Sequence, residues 1–375
     1  MTELRVLQDL DELPQAQWDA LLDQSDCPSP FMRAGFLRAL RGAANPATGW
    51  APHFLTLWQG AQLLAGCPLY LKQHSWGEYV FDQAWARAFA AHGLRYYPKA
   101  VVAVPFTPVP GSRLLARSAA LRHELAAQGL AWTQQQGLSG LHLLFSSPDD
   151  ALALNGLGLA QRQQPQFHWH NDGAWVTFED FLQALRRDKR KKIQQERRRV
   201  AEAGVNMTVL RGAQIQASDW AFFYRCYAQT YAVRGQAPYL PPEFFASALS
   251  GTDEWVLLRA EREGQPVAAA LLAVDGVRRV AYGRHWGALQ DIPCLHFELC
   301  YYAPLAWCID QGIARFEGGA QGEHKMARGL MPVSTSSHHG LTDAAFHDAV
   351  LRFTEAEQAA VAAYEEALVA RSPFR

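Results

Sequence analysis

The chain has 375 residues, 49% hydrophobic and 19% charged, with a formal net charge of −1. That length and apolar content allow a large core in one or two domains and exclude a disordered protein. The balanced charge excludes a global pull toward nucleic acid or membrane, so any such attraction is local.

The six cysteines form no Cys-x-x-Cys pair, which points to reduced interior thiols rather than a disulfide framework. The N-terminus lacks a basic-then-apolar leader, and no apolar run approaches the ~20 residues of a membrane span. The expectation is a cytoplasmic protein without an integral membrane span.

Strand-like and helix-like segments alternate, which predicts an α/β fold. Phe54–Leu57 and Leu63–Leu71 read as a hairpin around Gln59-Gly60, with helices over Trp85–His92 and Arg117–Gln136. Gly137 stands at a C-terminal cap position of the second helix. Leu141–Phe145 is a short buried strand, and residues 155–175, with Gly156, Gly158 and Pro165, read as a loop-rich join.

A capping box at Thr177 and Asp180 opens one long helix over 178–203, and Gly204 stops it. Phe178, Leu182, Leu185, Ile193 and Val200 give it one apolar stripe. The rest is cationic: Arg186, Arg187, Lys189, Arg190, Lys191 and Lys192, then Arg197, Arg198 and Arg199. Such clustering opposes helix formation by ~0.2–0.5 kcal/mol per like-charged i,i+4 pair. It suits a solvated face, a phosphate-bearing substrate or nucleic acid, and these stay open.

Next come a strand at Asn206–Leu210, a helix at Trp220–Val233, and strands at Glu254–Ala260, Pro266–Val274 and Arg278–Tyr282. A helix over 295–311 follows, kinked or restarted at Pro304, because an interior proline costs ~3 kcal/mol. The order helix, helix, hairpin, helix, strand occurs in each half. That suggests two similar domains, 1–165 and 166–375, the second carrying the basic helix.

The most informative segment is Arg315-Phe-Glu-Gly-Gly-Ala-Gln-Gly-Glu-His-Lys325. A short strand breaks into Gly318, Gly319 and Gly322, whose N–H groups can cradle an oxyanion. Glu317, His324 and Lys325 sit beside the turn, with Gln321 inside it. Lys325 is one of only six lysines against 29 arginines. Arg284, between two glycines in Tyr282-Gly-Arg-His-Trp-Gly287, offers a grip for carboxylate or phosphate.

In His74-Ser-Trp-Gly-Glu78-Tyr-Val-Phe-Asp82, Gly77 and Val80 favour loop or strand, so the i,i+4 spacing does not imply a shared helical face. His168 and His170 face the same way if extended. Two such ligands without a third are weaker than a helical His-Glu-x-x-His pair, so no metal is assigned. His296 and Glu298 read as the mouth of a helix, and His338-His339 as a loop. No Walker loop, dinucleotide fingerprint or Gly-x-Ser-x-Gly elbow is present.

Several of these motifs together resemble one family. His74–Asp82, Tyr96-Tyr-Pro-Lys99, Val104–Val109, Gln166-Phe-His-Trp169, Tyr282-Gly-Arg284, Leu295-His-Phe-Glu298 and Gly319–Lys325 are similar to the bacterial predicted N-acyltransferases of the FemAB-like, peptidoglycan biosynthesis/recognition group. The likeness runs from about Ser29 to His338. It implies two GNAT-like domains, each a mixed, mostly antiparallel sheet flanked by helices. It also implies transfer of an acyl or aminoacyl group to an amine. Lys189–Ile193 and Gly204-Val205 look like the Fem basic helix and following strand, where cations meet substrate phosphates. Phe316–Gly319 and Lys325 look like the Fem late strand, glycine turn and lysine near the reacting acyl group. The simple acetyl-CoA pyrophosphate loop is not matched, since Leu289 stands where a small residue belongs after Arg284 and Gly287. No insertion resembles the coiled-coil arm of some Fem enzymes.

The leading expectation is amide formation from a tRNA ester or thioester donor, with no tightly bound cofactor. Lys325, Glu317 and His324 are the catalytic candidates. Gly319, Gln321, Gly322, Arg284, Arg187, Lys189, Arg190, His74, Glu78, His168, His296 and Glu298 are the substrate contacts. Acyl-CoA and aminoacyl-tRNA are the candidate donors, and the partner is an anionic small molecule or cell-wall precursor. Two alternatives are an acyl-CoA-dependent N-acetyltransferase and a noncatalytic polyanion-binding protein.

Overall fold

In the computed structural model, which describes residues 2–249, 252–320 and 322–375, the chain divides into two compact units. The first holds the residues up to Gln164 and returns for Ser334–Tyr364. The second holds Pro165–Val333 and Glu365–Arg375.

The first unit opens with strands β1 (Glu3–Leu7), β2 (Trp50–Gln59) and β3 (Gln62–Lys72) in antiparallel succession. Gly60 turns the hairpin in the left-handed region, φ +60°. β4 (Lys99–Val102) pairs with β3, the two-residue β5 (Leu115–Ala116) adds to the edge of β3, and β6 (Gly140–Ser146) runs parallel to β4. The helix Ala119–Gln135 lays Leu125 and Ala126 on Leu55, Leu69, Val102 and Leu143 to close this core. Its N-terminus is capped by the Ser118 hydroxyl, which accepts from the Leu121 amide.

A second, polar core lies beside it. The segment from Gln73 to Asp82 is neither helix nor strand, yet Glu78 and Asp82 converge on the buried ammonium of Lys99. Lys99 Nζ donates to Glu78 Oε2 at 2.7 Å and to Ser75 Oγ at 3.1 Å, and pairs with Asp82 more closely still. His74 is engaged locally, Nε2 lying 3.0 Å from the Thr48 carbonyl.

The second unit holds one sheet in the order β7-β12-β11-β10-β9-β8. Its strands are β7 (Ala160–His170, from Pro165), β8 (Val205–Arg211), β9 (Trp255–Arg262), β10 (Gln265–Asp275), β11 (Val280–Ala288) and β12 (Arg315–Ala320). One face, carrying Ala268, Ala270 and Leu272, packs on Leu295, Leu299 and Leu305 of the segment 295–310. The helix Ala217–Ala232 packs across β10 and β11. A Cβ on Gly287 would stand 1.9 Å from the Cys226 carbonyl oxygen, so only glycine allows this approach.

Four expectations are corrected. The supposed join at 155–175 contains β7, in which Phe167 and Trp169 bury one face while His168 and His170 take the other. The single basic helix is two, Phe178–Ala184 and Arg187–Glu202. Leu185 and Arg186 are extended between them because the C-terminal tail pairs there. The Arg186 amide donates to Pro373 O, the Arg375 amide donates to Ala184 O, and Leu185 is buried. His338-His339 is no loop but part of β13 (Met331–Leu341), paired with β6, where His339 and His142 bring their Nδ1 atoms within 2.8 Å. For the same reason residues 334–364, assigned by sequence to the second domain, pack in the first unit.

The region of Pro304 restarts as the proline requires. A one-turn π-helix over Glu298–Tyr302, with the Ala303 amide bonded to Glu298 O, precedes a fresh helix Ala303–Asp310 with Pro304 in its first turn. Proline has no N–H for the Cys300 carbonyl, so the wider turn accommodates the missing bond.

Candidate functional site

The site is built where β11 and β12 part. These parallel neighbours pair only from Val280–Tyr282 against Arg315–Glu317, after which β11 runs on to Ala288 and β12 to Ala320. Crevices at the carboxyl ends of parallel strands are the usual place for a ligand in such sheets. A cavity of about 260 Å³ opens here, with Arg284 and Trp286 of β11 on one wall. His296, Cys300 and Tyr301 of the π-turn region form another, and Gly318, His324 and Lys325 complete it.

Local structure fixes each group. Gly319 and Gly322 adopt φ +77° and +108°, so both positions need glycine. The short helix Glu323–Arg328 then aims Lys325 back at the strand end, and its Nζ donates to the Gly319 carbonyl at 2.9 Å. Gly318 leaves room for this, since a Cβ there would stand 2.5 Å from Leu330 and 3.5 Å from Lys325 Cδ. Tyr301 Oη and His324 Nε2 lie 3.1 Å apart, and the His296 ring packs on Trp286 with centroids 4.4 Å apart. A buried Arg328 lies over Phe297, donates to the His324 carbonyl and pairs with Glu196 at 3.1 Å, bracing the turn from behind.

Burial sets the protonation states. It pushes Lys325 down to about 8, with no carboxylate opposing it. It pushes His296 down to about 4, helped by His324, Arg328 and Lys325. His324 is lowered by burial and then by Arg328 and Lys325. At neutral pH the cavity therefore holds neutral imidazoles beside a cation that gives up its proton easily. Among the described residues lining it, none is a carboxylate.

The structure thus brings Lys325, His324, Arg284 and His296 together. Gly319 meets Lys325 through its carbonyl, and Gly322 precedes the short helix. Gln321 lies outside the described residues. Glu317 faces away: strand alternation puts it opposite Phe316 and Gly318, beside Arg315 at 3.1 Å and His168 at 3.9 Å. Burial raises the Glu317 carboxyl to about 7 and lowers His168 to about 3, so near pH 7 His168 is neutral and Glu317 is about half protonated. Glu298 pairs with Arg197 at 3.2 Å, outside the cavity. Arg187, Lys189 and Arg190 lie on the basic helix, and His74 and Glu78 in the first unit. Among the described residues no three His, Cys, Asp or Glu side chains are grouped to hold a metal ion.

Sequence reasoning passes over Trp286, Cys300 and Tyr301. Trp286 stands two residues from Arg284 on β11, but the register shift at Arg284 breaks the simple alternation a sequence would suggest. Cys300, four residues from His296, was within reach, whereas Tyr301 depends on the extra residue of the π turn.

A family model described as "Peptidogalycan biosysnthesis/recognition" matches residues 9–375. The chain belongs to the FemAB-like family. Solved structures with a similar fold include FemX, with TM-score 0.55 and 9% identity, covering 92% of this chain and 100% of that one. L-PGS from Bacillus licheniformis gives TM-score 0.56 at 10% identity, over 90% of this chain and 96% of that one. The C-terminal domain of a putative lysylphosphatidylglycerol synthetase from Agrobacterium fabrum gives 0.54 at 12%, over 93% and 97%. No curated protein matches the sequence. The mixed α/β fold with a mostly antiparallel sheet flanked by helices is as expected from the resemblance. Among its described residues no helix is long and apolar enough to cross a membrane.

Proposed function

We propose that this FemAB-like protein is an N-acyltransferase that joins an activated acyl or aminoacyl group to an amine in the cavity between β11 and β12. The observation carrying the reading is that a buried Lys325 lines the same cavity as Arg284 at the opened strand ends. In the reaction the amine nitrogen bonds to the carbonyl carbon and the carbonyl oxygen gains negative charge. The amine gives up a proton, and the C–O or C–S bond to the donor breaks, its electron pair leaving with the oxygen or sulfur.

Lys325, as the ammonium, suits the developing oxyanion, and Arg284 suits an anionic portion of donor or acceptor. His324 and His296, both neutral near pH 7, are able to take the amine proton. Glu317 is better placed as a buried neighbour of β12 than as the base, because its side chain leaves the other face of the strand.

Hydroxylamine as surrogate amine tests the reading, with acetyl-CoA and bulk aminoacyl-tRNA as alternative donors and hydroxamate as the product. Turnover with one donor is expected, falling ~10²–10³-fold in Lys325→Ala. No product from either donor with folded protein, or unaltered turnover in the variant, rejects this assignment. Calorimetry with acetyl-CoA separates the donors, since saturable micromolar binding selects the thioester.

A further inference from the structure

The nine cations of the basic-helix region are not used by the cavity just described. On the helix Arg187–Glu202, Arg187, Arg190, Lys191, Gln194, Arg197 and Arg198 recur at three- and four-residue spacing, so they share one longitudinal stripe. The adjoining side of the helix buries Ile193, Glu196 and Val200. Along the stripe runs a groove of about 500 Å³, lined by Arg197 and Arg198, by the carboxylates Glu179 and Glu298, and by apolar residues of the helix end and β8 such as Val205 and Met207. Val205, Met207 and Val209 alternate along β8, the outer strand in the order of this sheet, and Val209 is 38% exposed. Arg197 is held at the groove mouth by Glu298 at 3.2 Å and by the Phe178 ring, 4.7 Å from its guanidinium.

We propose that this face of the second unit docks on an anionic phospholipid surface, the stripe taking headgroup phosphates and the groove taking apolar chain. Both halves of the surface are needed for the assignment. Nucleic acid would satisfy the cations but leave the apolar floor exposed. Among the described residues lining the groove no aromatic ring is present to stack a base. Clusters of four to eight cations on a helix beside apolar surface are what an anionic bilayer attracts. The chain as a whole carries a net charge of −1, so the attraction is confined to this face and orients the protein. The inference is independent of acyl transfer, because its readout is binding.

Co-sedimentation with vesicles tests it, comparing three parts phosphatidylcholine to one part phosphatidylglycerol against phosphatidylcholine alone. Binding to the mixed vesicles only is expected, weakening with salt. The exposed double variant Lys191→Glu/Arg198→Glu should bind at least about 30-fold more weakly. Val209→Asp, which leaves the stripe intact, should abolish the binding that survives raised salt. Equal binding by the folded variants overturns the proposal, as does binding to neither vesicle. Binding of tRNA that is lost in the double variant while vesicles remain unbound assigns the stripe to nucleic acid instead.

Discussion

Among the three buried lysines of the described residues, Lys99 in the first unit and Lys325 in the second have opposite surroundings. Lys99 meets Glu78, Asp82 and Ser75 in a closed polar core. Burial works against its charge, but the two carboxylates outweigh that and raise its pKa above the ordinary value. Lys325 is buried at the edge of a cavity, where burial alone acts strongly and brings it to about 8. One ammonium is neutralised in place and fixes a loop. The other lines a cavity in which none of the described lining residues is a carboxylate, and it suits charge that arrives with a ligand. Burial by itself does not mark a functional lysine; the partner set does.

The largest expected effect comes from removing the fixed cation. Lys99→Met leaves Glu78 and Asp82 facing each other without water, and should destabilise the protein by ~3–5 kcal/mol. Urea unfolding measures this, and a loss below about 1 kcal/mol would show that the triad is not a structural clamp. Lys325→Met should do the reverse: hold or raise stability while reducing transfer by ~2.7–4 kcal/mol of transition-state binding. If the ammonium is the working form, wild-type turnover falls as pH rises through about 8.

A smaller effect separates Glu317 from both lysines. Its carboxyl is raised from 4.5 to about 7, so the folded state holds a proton that the unfolded chain has released. Stability from this group is therefore complete below pH 4.5 and is lost as pH rises to about 7. Glu317→Gln should flatten part of that decline and gain ~1–3 kcal/mol at pH 8, read from melts across the range. Glu78, raised likewise to about 7 by burial, keeps the remaining slope. Smallest, Thr177→Ala removes the hydroxyl that accepts from the Asp180 amide at the start of the helix Phe178–Ala184. It should cost ~1 kcal/mol with transfer unaltered, checked by the same melts.

Much of this was legible in local chemistry. The Thr177 capping box, Gly137 at φ +63° and Gly204 at φ +72° mark helix ends because caps are set within a few residues. The hairpins that turn at Gly60 and Gly264 followed from nearly continuous apolar runs on either side of a short polar break. β7 was obscured because Gln161, Gln163, Gln164 and Pro165 carry no strand signature; its pairing with β12 supplies the order. The break at Leu185 depends on Phe374, far along the chain, and no local rule contains it. At the site, the glycine turn and the arginine between glycines drew attention to Lys325 and Arg284, which line one cavity. Glu317 was misjudged because proximity in sequence hid the alternation of faces along β12. The convergence of Glu78 and Asp82 on Lys99 was equally unreadable, since three residues from two segments meet only after the sheet forms.

The return of Ser334–Tyr364 to the first unit has a consequence for biosynthesis. In β13, Leu341 pairs with Gly140 and His339 with His142, so β6 lacks this neighbour until Pro165–Val333 of the second unit has been synthesised. Nascent chains should thus expose an unpaired strand edge through much of translation, and severing the gene at the 164/165 junction leaves the first unit without Ser334–Tyr364.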